Sequence, residues 1–205
     1  MKITRVARSG RVPDRYYLTL EDGAELQVGF NQIADYAVYE GRELTDEELE
    51  ALKDDARRTN VRARAMRILG ERSMSRKEMT DRLIQKGEDP ALAQETAAWL
   101  ERIGVINDGE YAGLIVRHYA ARGFGAGRIK NELYRRGIPR EYWEDALAEM
   151  PDMEDAAYEF FRSRMRGAEP DAKTVKRASD AACRRGFSWE EIRAAVSRYE
   201  AEYGD

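Results

Sequence analysis

The chain has 205 residues, 36% of them charged and 42% hydrophobic, enough for one elongated domain or two small ones but with little material for a large globular core. Its formal net charge of −4 excludes the strongly basic body of a protein that lives on DNA phosphates, so any nucleic-acid contact must come from a local patch among 35 basic and 39 acidic residues. No apolar run approaches the roughly 20 residues of a membrane span, Met1 to Arg5 lacks the apolar stretch of a signal peptide, and lone Cys183 and His118 form neither an internal disulfide nor the usual zinc cage.

These features predict a cytoplasmic protein with no cofactor and no structural metal. Ile3 to Ala7, Arg15 to Leu20 and Ala24 to Gly29 carry β-branched and aromatic residues, separated by Ser9-Gly10 and Asp22-Gly23, which predicts a small β-hairpin or meander. A short helix is expected near Gln32 to Tyr39, ended by Gly41. Thr45 and Glu48 form a capping box that opens a helix running through Asp54-Asp55-Ala56-Arg57-Arg58 as a linker.

From about Val61 the pattern repeats. Three segments share one build: a helix, a basic pair or near-pair followed by Gly, then a second helix with a similar apolar stripe. Their glycines, Gly87, Gly137 and Gly186, recur at roughly fifty residues, the upper end of the spacing of helical repeats. Gly after Lys or Arg terminates a helix in the left-handed conformation, and the basic side chains suit the negative end of its dipole. The next helix is started by Asp89-Pro90, by Ile138-Pro139, and by Ser188 with Glu191 as a capping box. A leading helix precedes each pair, over Val61 to Gly70, Asp108 to Arg122 and Met153 to Arg166. The expected fold is therefore mainly α, with tandem three-helix repeats in an elongated curved array behind a small N-terminal β segment. The expected divisions are 1–58, 59–108, 109–152 and 153–205.

The stretch Asp108-Gly109-Glu110-Tyr111-Ala112, Arg122-Gly123-Phe124-Gly125, Arg128-Ile129, Glu132-Leu133 and Arg136-Gly137-Ile138 closely resembles the signature region of RecX regulatory proteins. The resemblance extends over about Val61 to Tyr203, is weakest in the third repeat, and leaves the β segment looking like an extension found in some members only. It implies a non-enzymatic regulator, monomeric when free, that binds the RecA filament. It further implies control of filament growth, ATP hydrolysis and strand exchange, hence a role in DNA repair and the SOS response.

Candidate contact residues are Arg117, Arg122, Arg128, Lys130, Arg135 and Arg136 in the middle repeat, with Lys173, Lys176, Arg177, Arg184 and Arg185 in the third. Arg suits bidentate capture of carboxylates or phosphates, so these residues read as a face for acidic RecA surfaces or for DNA; each reads equally as a solvated helix face. Gly123-Phe124-Gly125-Ala126-Gly127 follows a helix, lacks the Lys-Ser/Thr of a phosphate loop, and is expected to be a tight turn with Phe124 packed between helices. Trp99, Tyr111, Tyr119, Tyr134, Tyr142, Trp143 and Trp189 are expected in the core, Cys183 as a small buried hydrophobe, and His118 on a helix surface. Asp152, Glu154 and Asp155 read as N-terminal dipole partners and not as a metal site.

Overall fold

A computed structural model describes residues 1–167 and 169–203; Ala168 and the last two residues of the expected third repeat lie outside the described residues. The chain divides into two compact units, Met1–Arg72 with Met79–Leu100, and Ser73–Glu78 with Glu101–Asp205.

In the first unit, β1 (Ile3–Arg8), β2 (Arg15–Leu20) and β3 (Glu25–Gly29) form the expected antiparallel meander in the order β1-β2-β3. Leu18, Leu20 and Val28 alternate onto one face and are buried against Leu49, Leu52 and Ala56. A break in register between Ile3 and Arg5 lets both Ile3 and Val6 pack on that same core. Behind the sheet come α1 (Phe30–Asp35) and α2 (Asp46–Leu69). The Thr45 hydroxyl accepts from the Glu48 amide at 3.1 Å and the Glu48 carboxylate accepts from the Thr45 amide at 2.9 Å, as the capping box predicts.

Two expectations fail here. The Gln32 to Tyr39 helix is α1, which starts two residues earlier and stops at Asp35 because Ala37 turns left-handed with φ 46°. Val61 to Gly70 is not a separate leading helix but the C-terminal end and cap of the 24-residue α2. No Gly or Pro interrupts Asp46 to Leu69, and Leu49, Leu52, Ala56, Val61 and Ala65 keep one buried stripe along it. Then come α3 (Arg76–Gln85) and α4 (Pro90–Arg102), the latter capped by Asp89, which accepts from the Ala91 and Leu92 amides.

The second unit holds α5 (Asp108–Ala121), α6 (Ala126–Arg135), a 3-10 turn at Arg140–Tyr142, α7 (Trp143–Ala148), α8 (Glu154–Met165), α9 (Ala172–Arg185) and α10 (Trp189–Tyr203). One apolar cluster runs from Val116, Ile129, Leu133 and Ile138 to Ala182, Phe187 and Ile192, so the middle and third repeats share a core. Tyr158, Phe161, Met165 and Tyr199 form a second cluster within the third. Ser188 and Glu191 cap α10 reciprocally.

Tyr134, Trp189 and Cys183 are exposed, against expectation. Tyr134 and Cys183 lie just off their helices' apolar stripes, Ile129 and Leu133 being buried before Tyr134 and Ala178 and Ala182 before Cys183. Trp189 is instead the first residue of α10 and stands exposed at its open end, three residues before buried Ile192. Among the described residues no helix is long and apolar enough to cross a membrane.

Candidate functional site

The site is built on a backbone junction between α6 and α9. The Gly125 amide donates to the Arg185 carbonyl at 3.2 Å and the Gly127 amide to the Gly186 carbonyl at 2.9 Å. A Cβ on Gly125 would collide with the Gly186 carbonyl, and one on Gly186 would lie 2.6 Å from Arg128 Cβ, so both positions admit only glycine. Gly123 to Gly127 is thus the tight turn that its sequence suggests, with Phe124 half-buried and tilted on Tyr119 at 5.3 Å between centroids. Arg185 fastens the junction from the side: Nε donates to the Gly123 carbonyl at 3.0 Å, Nη2 donates to the Arg122 carbonyl at 2.6 Å, and the guanidinium lies 3.8 Å from the Phe124 ring centre.

Around that junction α6, α8 and α9 enclose an open basin. One part, about 620 Å3, is lined by Arg164, Arg166, Thr174, Arg177, Asp180 and Arg184; an adjoining part of about 350 Å3 shares Arg164 and Arg184 and adds Phe124, Arg128, Phe160 and Arg185. Six arginines therefore face one concavity with Asp180 as the single lining acid. Among the described residues, Arg128, Arg164, Arg166, Arg177 and Arg184 form no ion pair. Arg164 lies 4.9 Å from the Phe160 ring centre, which holds its flexible stem against the wall. Burial, and after it the positive charges of Arg122 and Arg164, pull the pKa of Arg185 down. Cations crowded without carboxylates favour an anionic partner carrying several oxygens.

Not every expected contact residue joins this basin. Arg128, Arg177, Arg184 and Arg185 line it, and Arg122 stands beside it over Phe124 at 5.7 Å. Lys130, Lys173 and Lys176 are exposed outside it, and Arg117 is paired with Glu149. Arg135 and Arg136 are committed to the fold. Arg135 is bidentate on buried Glu132, Nη2 donating to Oε1 at 2.7 Å and Nε to Oε2 at 3.0 Å; Arg136 Nε donates to Oε1 at 2.6 Å. Arg136 also donates to the Tyr111 hydroxyl and sits 3.6 Å from Glu78. Hydrogen bonding from Arg135, working against burial and reinforced by Arg136, lowers the Glu132 pKa to about 2. Burial opposes the charge on Arg136, but Glu132 and its neighbours outweigh it and raise its pKa.

Three residues escaped sequence reasoning. Arg164 and Arg166 stand in Arg162-Ser163-Arg164-Met165-Arg166-Gly167, a basic helix end whose signal was available. Buried Glu132 precedes Arg135 and Arg136 by three and four residues, the spacing at which helical side chains meet. His118 is exposed on α5 as expected, 3.4 Å from Arg122. Asp152 accepts from the Glu154 amide at 2.9 Å, and Glu154 and Asp155 occupy the first turn of α8. Among the described residues no three His, Cys, Asp or Glu side chains group to hold a metal ion.

Family models for the first and second three-helix domains of RecX match residues 62–100 and 107–147. A regulatory protein RecX from Halorhodospira halophila is 30% identical over 139 residues, covering 67% of this chain and 86% of the relative. One from Xanthomonas axonopodis pv. citri is 34% identical over 141 residues, covering 68% and 86%. A crystal structure of regulatory protein RecX superposes with a TM-score of 0.79 at 18% identity, over 94% of this chain and 97% of that one, a likeness of fold.

Proposed function

The chain belongs to the RecX family, a regulatory family and not a family of enzymes, and on that premise we propose that it binds RecA filaments and restrains their growth, ATP hydrolysis and strand exchange in DNA repair and the SOS response. The observation that carries this reading is the arginine basin, whose cations are left without carboxylate partners among the described residues, on a backbone-bonded junction of two repeats. A surface of that kind fits acidic side chains displayed on a filament, because each guanidinium offers a planar fork to a carboxylate. Lys130, Lys173 and Lys176 serve as its rim, contributing attraction at longer range and not geometry.

The test measures RecA's single-strand-dependent ATPase and filament length with wild-type protein and with an Arg164→Ala/Arg177→Ala/Arg184→Ala variant. Arg135 and Arg136 are unsuitable probes because removing them strips Glu132 of its partners. Wild type suppresses both readouts and the variant needs at least about tenfold more protein, from the loss of charge-assisted contacts of about 1.5 kcal/mol or more. If neither protein changes RecA but wild type binds naked DNA with a steep salt dependence, direct DNA binding replaces this reading.

A further inference from the structure

The first unit carries a cationic surface of its own. Arg5, Arg8, Arg11 and Arg15 meet a single acid, Asp14, between residues 5 and 15, while Glu21, Asp22 and Glu25 gather at the far turn, beside Lys2 and with Glu25 across Thr19 from Arg5. Among the described residues Arg5, Arg8, Arg11 and Arg15 form no ion pair. Strand alternation assigns the surface: Leu18 and Leu20 are buried inward, so Arg15, Tyr17 and Thr19 face outward, and the pairing of Arg5 with Thr19 and Ala7 with Tyr17 puts Arg5 and Ala7 on the same outer face. Tyr17 stands at its centre and is 37% exposed. On one side it has only the methyl of Ala7, and on the other Gln27, whose amide is tied to Asn60 at 2.6 Å. The Phe30 amide donates to the Asp14 carbonyl at 3.0 Å, which brings a ring 56% exposed beside the Arg11 to Arg15 turn.

We infer that the outward face of the β-sheet binds single-stranded DNA, with Tyr17 and Phe30 as stacking platforms and Arg5, Arg11 and Arg15 on phosphates. Exposed aromatics interleaved with unpaired arginines on a flat sheet supply the two things an unpaired strand offers, a base face and a backbone charge. A duplex keeps its base faces stacked internally and cannot use the rings. The choice of DNA over RNA rests on the RecA-filament reading; the stacking surface itself does not.

The experiment uses the full chain and a fluorescein-labelled 20-nucleotide oligo-dT in anisotropy titrations over a salt series, alongside oligo-U, a duplex of the same length, and iododeoxyuridine photocrosslinking mapped by mass spectrometry. Tyr17→Ala weakens binding about tenfold and Tyr17→Phe, which keeps the ring, does not. Arg11→Ala/Arg15→Ala reduces the slope of log affinity against log salt by about 1.4, two phosphates at about 0.7 each. Crosslinks fall on Tyr17 or Phe30. Equal affinity for wild type and Tyr17→Ala, tighter binding to duplex or to oligo-U, or no binding at all overturns the inference. The basin variant in the same titration separates the two surfaces: if it alone loses DNA and crosslinks map to 160–185, the β-sheet is not the site, whatever the RecA assay gives.

Discussion

Two turns of identical sequence, Arg135-Arg136-Gly137 and Arg184-Arg185-Gly186, end equivalent helices in the middle and third repeats, yet among the described residues only the first pair is claimed by a carboxylate. One helical turn upstream of the first pair lies Glu132, buried and bonded to both guanidinium groups. The equivalent position before the second pair is Ala181, which lines the arginine basin and neutralises nothing. A basic pair before a glycine is therefore tied to its own helix or left without a carboxylate according to the residue three and four places before it.

The sharpest way to break this comparison is Glu132→Ala. It leaves Arg136, only 22% exposed, without its main partner, and should lower the unfolding free energy by about 3 kcal/mol in urea titrations. A wild-type midpoint would mean that the first pair is as free as the second. Acid provides the same test without mutation. The folded-state pKa of Glu132, about 2 against an ordinary 4.5, makes its contribution complete above pH 4.5 and lost as pH falls from there towards 2. Its size is on the order of 3 kcal/mol, and a pH series on Glu132→Gln should show a flatter decline than wild type across that window.

Next in size is Gly186→Ala, in which a left-handed residue gains a Cβ against Arg128; a loss of about 2 to 3 kcal/mol is expected. Gly87→Ala is the control, since its φ is also positive at 89° but open space surrounds it, and it should cost only about 1 kcal/mol. The smallest stability effect carries the largest consequence for recognition. Ala181→Glu writes the middle-repeat solution into the third, so stability should change by less than about 1 kcal/mol while suppression of the RecA ATPase is lost. Retained suppression would detach function from the free charge of Arg184.

Much of the fold was legible in the residues. The meander followed from alternating strands and glycine turns, and the starts of α2, α4 and α10 from Thr45, Asp89 and Ser188. The continuous α2 was harder, because a charged segment such as Asp54 to Arg58 looks like a linker until its buried stripe is set against packing partners. The lining of the arginine basin was half legible. Composition identifies an arginine but not whether a carboxylate claims it, which is why Arg135, Arg136 and Arg117 stood equal to Arg177 and Arg184. Tyr134 misled for a related reason: aromaticity indicates core on average, and a displacement of one residue around a helix reverses it.

The clasp at Gly125 and Gly186 is made between main-chain atoms, with the Arg185 guanidinium as a side-chain fastening. Such a joint tolerates almost any change in the residues around it so long as its two glycines persist. Lineages can thus rewrite the chemistry of the neighbouring concavity, adding or deleting a charge at a position such as Ala181, without re-aiming the helices that present it. Inheritance of the frame and drift of the partner preference become separable, and relatives that keep the joint should differ most in the side chains other than Arg185 that line the concavity around it.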